Sequence, residues 1–176
     1  SHMRFRPNWD SYLIATHSIC CTQAKNDRTV LSSYPLGYSL PNEIDQTQTR
    51  GTVMRATHFD QDGMLRLSAS PISDSMIVDQ DVALQTPFWA AGFSFSDMSL
   101  VRLVPYDPHL PYLFFGEEAC MSLRLWTSGF SIFSPLQNVA YHLWSRNYRP
   151  ALDISSSEAR AARLRSQSKV MDIITS

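Results

Sequence analysis

Two adjacent carboxylates, Glu117 and Glu118, close the run Tyr-Leu-Phe-Phe-Gly-Glu-Glu at residues 112–118. The chain has two other glutamates, Glu43 and Glu158, so the pair does not belong to a generally acidic stretch. Two chemistries suit it. Carboxylates in the first turn of a helix complement the positive end of the helix dipole. A carboxylate at the mouth of a helix can also accept hydrogen bonds from sugar hydroxyls, or take a proton from an acceptor group. Local sequence leaves both readings open.

Other polar residues compete for attention. Asp60-Gln61-Asp62 and Asp79-Gln80-Asp81 match the Asp-x-Asp spacing that can hold a divalent cation beside a diphosphate. Twelve aspartates in this length make such a match expected by chance, and Asp60 and Asp62 precede Gly63 where a turn needs nothing more. His142 sits among large apolar residues in Ala-Tyr-His-Leu-Trp, a setting equally suited to a satisfied core histidine. His17 and His58 read as structural, and His109 lies in a Pro-rich loop. Trp89, Phe93, Phe95, Trp126 and Trp144 read as core residues in preference to a stacking platform.

The elements that must position these groups can be sketched from periodicity. A helix is predicted after Asn8 as cap, with Leu13, Ile14, His17 and Cys21 on one face. Arg28–Tyr38 reads as one short strand ending in a Pro-Gly turn, and residues 39–50 as a mobile polar loop. Thr52–Phe59 and Met64–Ser70 flank Asp-Gln-Asp-Gly and predict a hairpin. Residues 87–111 read as a short helix or strand feeding an irregular loop. From Glu117 the pattern is helical, with Cys120, Leu123 and Arg124 on one face, Met121, Leu125 and Ser128 on the next, and Gly129 as the stop. Residues 130–144 read as a turn and a strand. Ser155 and Glu158 have capping-box spacing ahead of a C-terminal helix. Strands mixed with helices give an α/β or α+β class.

Composition bounds the rest. The 176 residues suffice for one domain with a substantial core, at 44% hydrophobic and 11% aromatic content. Fifteen basic against sixteen acidic residues leave a net charge of −1, so no basic face invites nucleic acid. No apolar run has the length of a membrane span, and no signal-peptide pattern opens the chain. Three cysteines, Cys20, Cys21 and Cys120, make a poor disulfide framework and favour a reducing compartment.

The blocks Pro-Phe-Trp-Ala-Ala-Gly (87–92), Pro-Tyr-Leu-Phe-Phe-Gly-Glu-Glu (111–118) and His-Leu-Trp-Ser-Arg (142–146) resemble one family closely. It comprises the cytoplasmic-type (Skp-type) glycosyltransferases that attach N-acetylglucosamine to hydroxyproline on a ubiquitin-ligase adaptor. The segments at 1–10, 31–38 and 59–67 look like earlier blocks of the same family, so the resemblance spans 1–150. A more distant likeness is to the mucin-type polypeptide N-acetylgalactosaminyltransferases. Their Trp-Gly-Gly-Glu-Asn block and following Ser-Phe-Arg-x-Trp are matched in spacing by Gly116, Glu117, Ser122, Arg124 and Trp126. Gly129, Pro135 and His142 follow in the order of that family's Gly, Pro and metal-binding His, with a one-residue slip at the proline.

The resemblance implies an α/β fold, the C-terminal, acceptor-side portion of a GT-A glycosyltransferase domain, with a mixed sheet and flanking helices. Residues 1–150 would be that part of the catalytic domain and 151–176 a C-terminal helical tail. It implies transfer of N-acetylglucosamine from UDP-GlcNAc to a protein hydroxyl, with hydroxyproline the acceptor in the family it resembles, with retention. Glu117 and Glu118 would be catalytic; Glu117, Gly116, Trp89 and Arg146 would bind the donor, with Tyr112–Phe115 buried beneath Glu117. His2 and His142 would bind a divalent cation, Mn²⁺. Both families carry Asp-x-His as a first metal motif, and here the aspartate would directly precede Ser1. Ser1-His2-Met3 also matches a common cloning scar; Met3-Arg4-Phe5 continues the family block and favours the native reading. On this alignment the uridine-binding βαβ half would lie upstream, and the 176 residues alone are expected to fold yet show negligible transfer. The expected partners are the donor and a protein acceptor, in the cytoplasm, with no nucleic acid and no membrane; a homodimer is left open. The alternatives are a non-catalytic truncated transferase acting as a protein-binding module and, less favoured for want of a tight ligand cluster, a metal-dependent hydrolase.

Overall fold

The segments Thr29–Ser32 and Ser131–Pro135 are short, β-branched and almost wholly buried, as strands covered on both faces must be. In the computed structural model, which describes residues 2–38, 44, 47–78, 81–145 and 153–175, they pair in parallel at the centre of the molecule. In chain order the elements are β1 (Met3–Phe5), α1 (Trp9–Ala24), β2 (Thr29–Ser32), β3 (Leu36–Tyr38), β4 (Thr52–Phe59), β5 (Leu65–Pro71), β6 (Ala83–Gln85) and β7 (Ser94–Ser96). There follow α2 (Ser99–Leu103), α3 (Glu117–Thr127), β8 (Ser131–Pro135), β9 (Ala140–Leu143) and α4 (Ser157–Thr175). A four-stranded sheet runs β6-β8-β2-β7, mixed because only β2 and β8 are parallel. A three-stranded sheet runs β1-β9-β3, and β4 with β5 forms a separate antiparallel hairpin. The class is mixed α/β with flanking helices, as expected.

Strand alternation divides the core. Val30 and Ile132 face one side and join Trp89, Met121, Leu125 and Phe130. Leu31 and Phe133 face the other and join Leu13, Cys20, Val139 and Ala140. Helix α3 therefore covers one face and α1 the opposite one. Leu125, fully buried, contributes roughly 1.5–3 kcal/mol by removing its side chain from water. A third cluster of Met64, Cys120 and Val170 joins the hairpin, α3 and α4.

Several expectations are corrected. Asn8 occupies the N-cap position of α1 in the left-handed region, with no side-chain cap bond. The buried stripe of α1 is Leu13, Thr16 and Cys20, and Ile14 is 62% exposed, because the sheet meets the helix about one residue away from the expected face. The predicted single strand at 28–38 is two, β2 and β3, in different sheets; Leu36 and Gly37 pair with β9 instead of turning. Residues 130–144 likewise form two strands. Most of the predicted loop at 39–50 lies outside the described residues. The cap of α4 is Ser156, whose Oγ accepts from the Ala159 N–H at 3.1 Å, one residue past the predicted Ser155. The hairpin, the start of α3 and the Gly129 stop (φ 79°) agree with expectation. No helix among the described residues is long and apolar enough to cross a membrane.

Candidate active site

Helix α3 starts where it does because of Gly116. Its φ of 96° is a conformation that L side chains rarely adopt, and a Cβ there would fall 2.8 Å from Met64 Sδ and 3.5 Å from Val170 Cγ1. The chain can turn into α3 against the hairpin and α4 only without a side chain at this point. Tyr112, Phe114 and Phe115 are all more than a third exposed, so the expected burial of Tyr112–Phe115 is corrected. What seats Glu117 is the Gly116 socket, and Phe114 and Phe115 form a wall beside it.

Glu117 and Glu118 occupy the first turn of α3 and face a cavity of about 110 Å³. Tyr34, Arg66, Ala91 and Phe115 are among the residues that enclose it. Glu118 Oε1 accepts from the Ala91 N–H at 2.9 Å, and Tyr34 lines the same cavity. Burial raises the pKa of Glu118, an effect that the Ala91 N–H and the nearby Tyr34 hydroxyl partly offset. Burial also raises Glu117, and the neighbouring Glu118 charge adds to it. The Arg66 guanidinium lies 3.3 Å over the Phe115 ring and pairs with Asp60 at 3.4 Å. A second cavity of about 140 Å³, with Tyr106, Asp107, Leu113 and Arg124 in its wall, is also lined by Glu117.

The backbone that presents Ala91 is fixed by two buried serines. Ser32 Oγ donates towards the carbonyls of Ala90 (3.1 Å) and Phe93 (3.0 Å) and accepts from the Ala90 N–H at 2.8 Å. Ser122 Oγ accepts from the Trp89 N–H at 2.9 Å and donates to the Glu118 carbonyl at 2.6 Å. The central strand β2 and helix α3 thus grip one loop between them, and that loop holds Glu118.

His2 and His142 come together. Their ring centroids are 4.8 Å apart and their planes nearly perpendicular, because β1 pairs antiparallel with β9 and sets Met3 opposite His142. Among the described residues no group of three or more His, Cys, Asp or Glu side chains is placed to hold a metal ion.

A line of aromatic rings joins the histidines to the carboxylates. His142 contacts Trp144 with centroids 4.1 Å apart, and Trp144 stacks on Tyr34 at 5.5 Å and 21°. The sequence reading missed Tyr34 altogether and put Trp144 in the core. It is 45% exposed. The one available signal was Tyr34's place in the family block at 31–38.

Trp89 lies in the core, as the residue reading had it, and not in the donor pocket that the resemblance implied. It is 2% exposed in the core, with its indole N–H donating to Ser94 Oγ at 3.0 Å, and it lines neither cavity. It acts as an anchor for the Ala91 loop, so a direct donor contact is not retained. Arg146 lies outside the described residues. Asp60 spends its carboxylate locally: Oδ1 accepts from the Asp62 and Met64 N–H groups at 3.0 Å each, and Oδ2 meets Arg66. Asp62 pairs with Arg163 and Gln167 of α4. Asp81 accepts from the Val78 N–H at 3.0 Å, and Asp79 lies outside the described residues. His17 meets the Thr29 carbonyl at 2.9 Å, a structural role.

A mixed α/β domain with paired carboxylates in a cavity and an imidazole pair nearby is an arrangement suited to binding a polar substrate. A family model described as Glycosyltransferase (GlcNAc) matches residues 1–176, and the chain belongs to this family of glycosyltransferases. No curated protein gives a significant match.

Proposed function

We propose that the protein transfers N-acetylglucosamine from UDP-GlcNAc to a protein hydroxyl, hydroxyproline by resemblance, with retention of configuration. The observation that carries this reading is the half-buried Glu117–Glu118 pair facing one cavity at the start of α3. An ionised carboxylate accepts hydrogen bonds only, so it suits the hydroxyls of a sugar. Glu117, shared by both cavities, would hold donor hydroxyls. Glu118, fixed by the Ala91 N–H, would complete the reacting geometry, with Gly116 allowing the close turn. Most of the rate would come from such positioning and from preorganised polar groups.

The donor set of His2 and His142 suits a borderline cation that also takes carboxylate or phosphate oxygens, with Mn²⁺ the one implied by resemblance. When bound, such a cation neutralises a leaving diphosphate. The chain's own part is to hold two imidazoles side by side on β1 and β9. We read residues 1–150 as the C-terminal part of a GT-A catalytic domain working in the cytoplasm, and 151–176 as its helical tail.

Two measurements test the proposal in the full-length protein. Radiolabelled UDP-GlcNAc with Mn²⁺ should give labelled acceptor, and Glu117→Gln should abolish most of that label. His142→Ala should weaken Mn²⁺ binding at least tenfold, on the order of the loss of one strong ligand; unchanged affinity by calorimetry removes the metal assignment. The second reading, a non-catalytic module that binds a protein, is favoured by one feature. An apolar groove of about 290 Å³ is lined by Phe59, Phe88, Leu123, Trp126 and Ile174. Partner binding without any turnover of UDP-GlcNAc would decide for it.

A further inference from the structure

We propose that Ser166, Lys169 and Val170 of helix α4 are positioning residues of this site: they hold the segment 105–116, which walls the second cavity and turns into α3, and so set where Glu117 stands. The role rests on the reading of Glu117 as the carboxylate that holds the donor.

The three residues share one face of α4, because they fall at positions i, i+3 and i+4. Ser166 is buried, and its Oγ donates to the Pro111 carbonyl at 2.8 Å, with the Ala162 carbonyl of its own helix 3.1 Å away. Lys169 Nζ meets Asp107 Oδ2 at 2.5 Å, and Asp107 Oδ1 accepts from the His109 N–H at 2.8 Å, so the ion pair also fixes the turn that follows. Val170 is fully buried, and its Cγ1 stands 3.5 Å from where a Gly116 Cβ would lie. Leu110 and Leu113 pack against the Met64–Cys120–Val170 cluster that Val170 helps to form. Helix α4 thus meets the segment at positions 107, 111 and 116. The segment's first residue is held from α3, where Arg124 Nη2 donates to the Pro105 carbonyl at 2.7 Å.

The segment needs such a clasp. Tyr112, directly after the carbonyl that Ser166 holds, has a φ of 58°, a left-handed conformation that a non-glycine residue keeps only where its surroundings impose it. Tyr106, Asp107, Leu110 and Leu113 of this segment line the second cavity together with Glu117 and Arg124 of α3. A loosened segment admits water there. Glu117, whose pKa is raised by burial first and by the Glu118 charge second, would then titrate closer to its ordinary value. Helix α4 also reaches the other cavity. Arg163 and Gln167 bond Asp62 in the β4–β5 turn at 3.2 and 3.1 Å, and that hairpin supplies Leu65, Arg66 and Leu67 to the first cavity. One helix, distant in sequence from either carboxylate, therefore braces both cavities that Glu117 lines.

The test uses the full-length protein. Ser166→Ala removes the donor to Pro111, and Lys169→Met removes the ion pair while keeping the stem. Lys169→Arg keeps the charge, and Leu164→Ala alters the exposed face of the same helix. Ser166→Ala and Lys169→Met should each lower kcat/KM for UDP-GlcNAc about tenfold, less than a full 1 Å of misplacement can cost. In carboxyl ¹³C NMR, Glu117 should titrate closer to 4.5 in both variants. Lys169→Arg and Leu164→Ala should match the parent in both measurements. A helix that only stabilises the fold would lower the unfolding midpoint and leave the folded enzyme's kinetics and the Glu117 titration as they are. That result overturns the proposal, as does an equal loss in Leu164→Ala, and an unmoved Glu117 in both variants overturns it whatever the kinetics. If Glu117 moves as expected but Glu117→Gln transfers normally, the cavity is not the reaction site; the role in turnover then falls, while the hold of α4 on Glu117 stands.

Discussion

The chain holds two acidic pairs that look alike on paper, Asp60 with Asp62 and Glu117 with Glu118, and the fold treats them in opposite ways. Asp60 closes the β4–β5 turn with two backbone N–H groups and an arginine, and Asp62 holds α4 through Arg163 and Gln167. Both carboxylates there are bonded within the molecule. Glu117 and Glu118 line open volume, and burial raises the pKa of each instead of lowering it. Carboxylates whose ionised form is left under-stabilised beside a cavity are groups prepared for a ligand; fully answered carboxylates are fasteners.

The largest expected difference lies in turnover. Glu117→Gln in the full-length protein should lower transfer by about a hundredfold or more, as loss of a carboxylate acting on the reacting groups does. Transfer assays that find Asp60→Ala equally inactive while still folded would erase the distinction. Next is stability. Asp60→Ala should lower the midpoint of urea unfolding, because two backbone donors and Arg66 lose their acceptor. Glu117→Gln should cost none.

Gly116→Ala should cost roughly 1–3 kcal/mol, from the positive φ and the contact with Met64. It should also disturb the Glu117 environment, visible as changed carboxyl NMR signals; a stable variant with an unchanged Glu117 signal would show that Gly116 does not set the site.

The smallest effect is on the pH dependence of stability. For both glutamates the folded pKa lies above the ordinary value of 4.5, so their ionisation opposes folding. The stability linked to their protonated forms is fully present below about pH 4.5 and is lost as pH rises through the raised folded values. Glu117→Gln should therefore be more stable than the parent at neutral pH, with the gap closing as pH falls through the raised folded value towards 4.5. A gap that widens on acidification contradicts the burial argument.

The sequence by itself determined those features that depend on neighbours along the chain. The β4–β5 hairpin follows from Asp-Gln-Asp-Gly between two alternating runs, and α3 follows from acidic first-turn residues, helical spacing and Gly129. The adjacency of Glu117 and Glu118 was likewise visible, as was the family resemblance that pointed to His2 and His142. Tertiary structure alone decided the rest. Pairing of β1 with β9 brought residues 2 and 142 together, a contact that no local pattern encodes. Long-range packing moved the buried face of α1, split residues 28–38 between two sheets and put Trp89 in the core instead of the pocket. It also set Tyr34 against Thr52, Gly92 and Trp144, none of them near it in sequence except through the fold. Local propensity sets which residues extend or coil, whereas burial and charge environment depend on which distant segments pack against them, and those environments separate a fastening carboxylate from a reactive one.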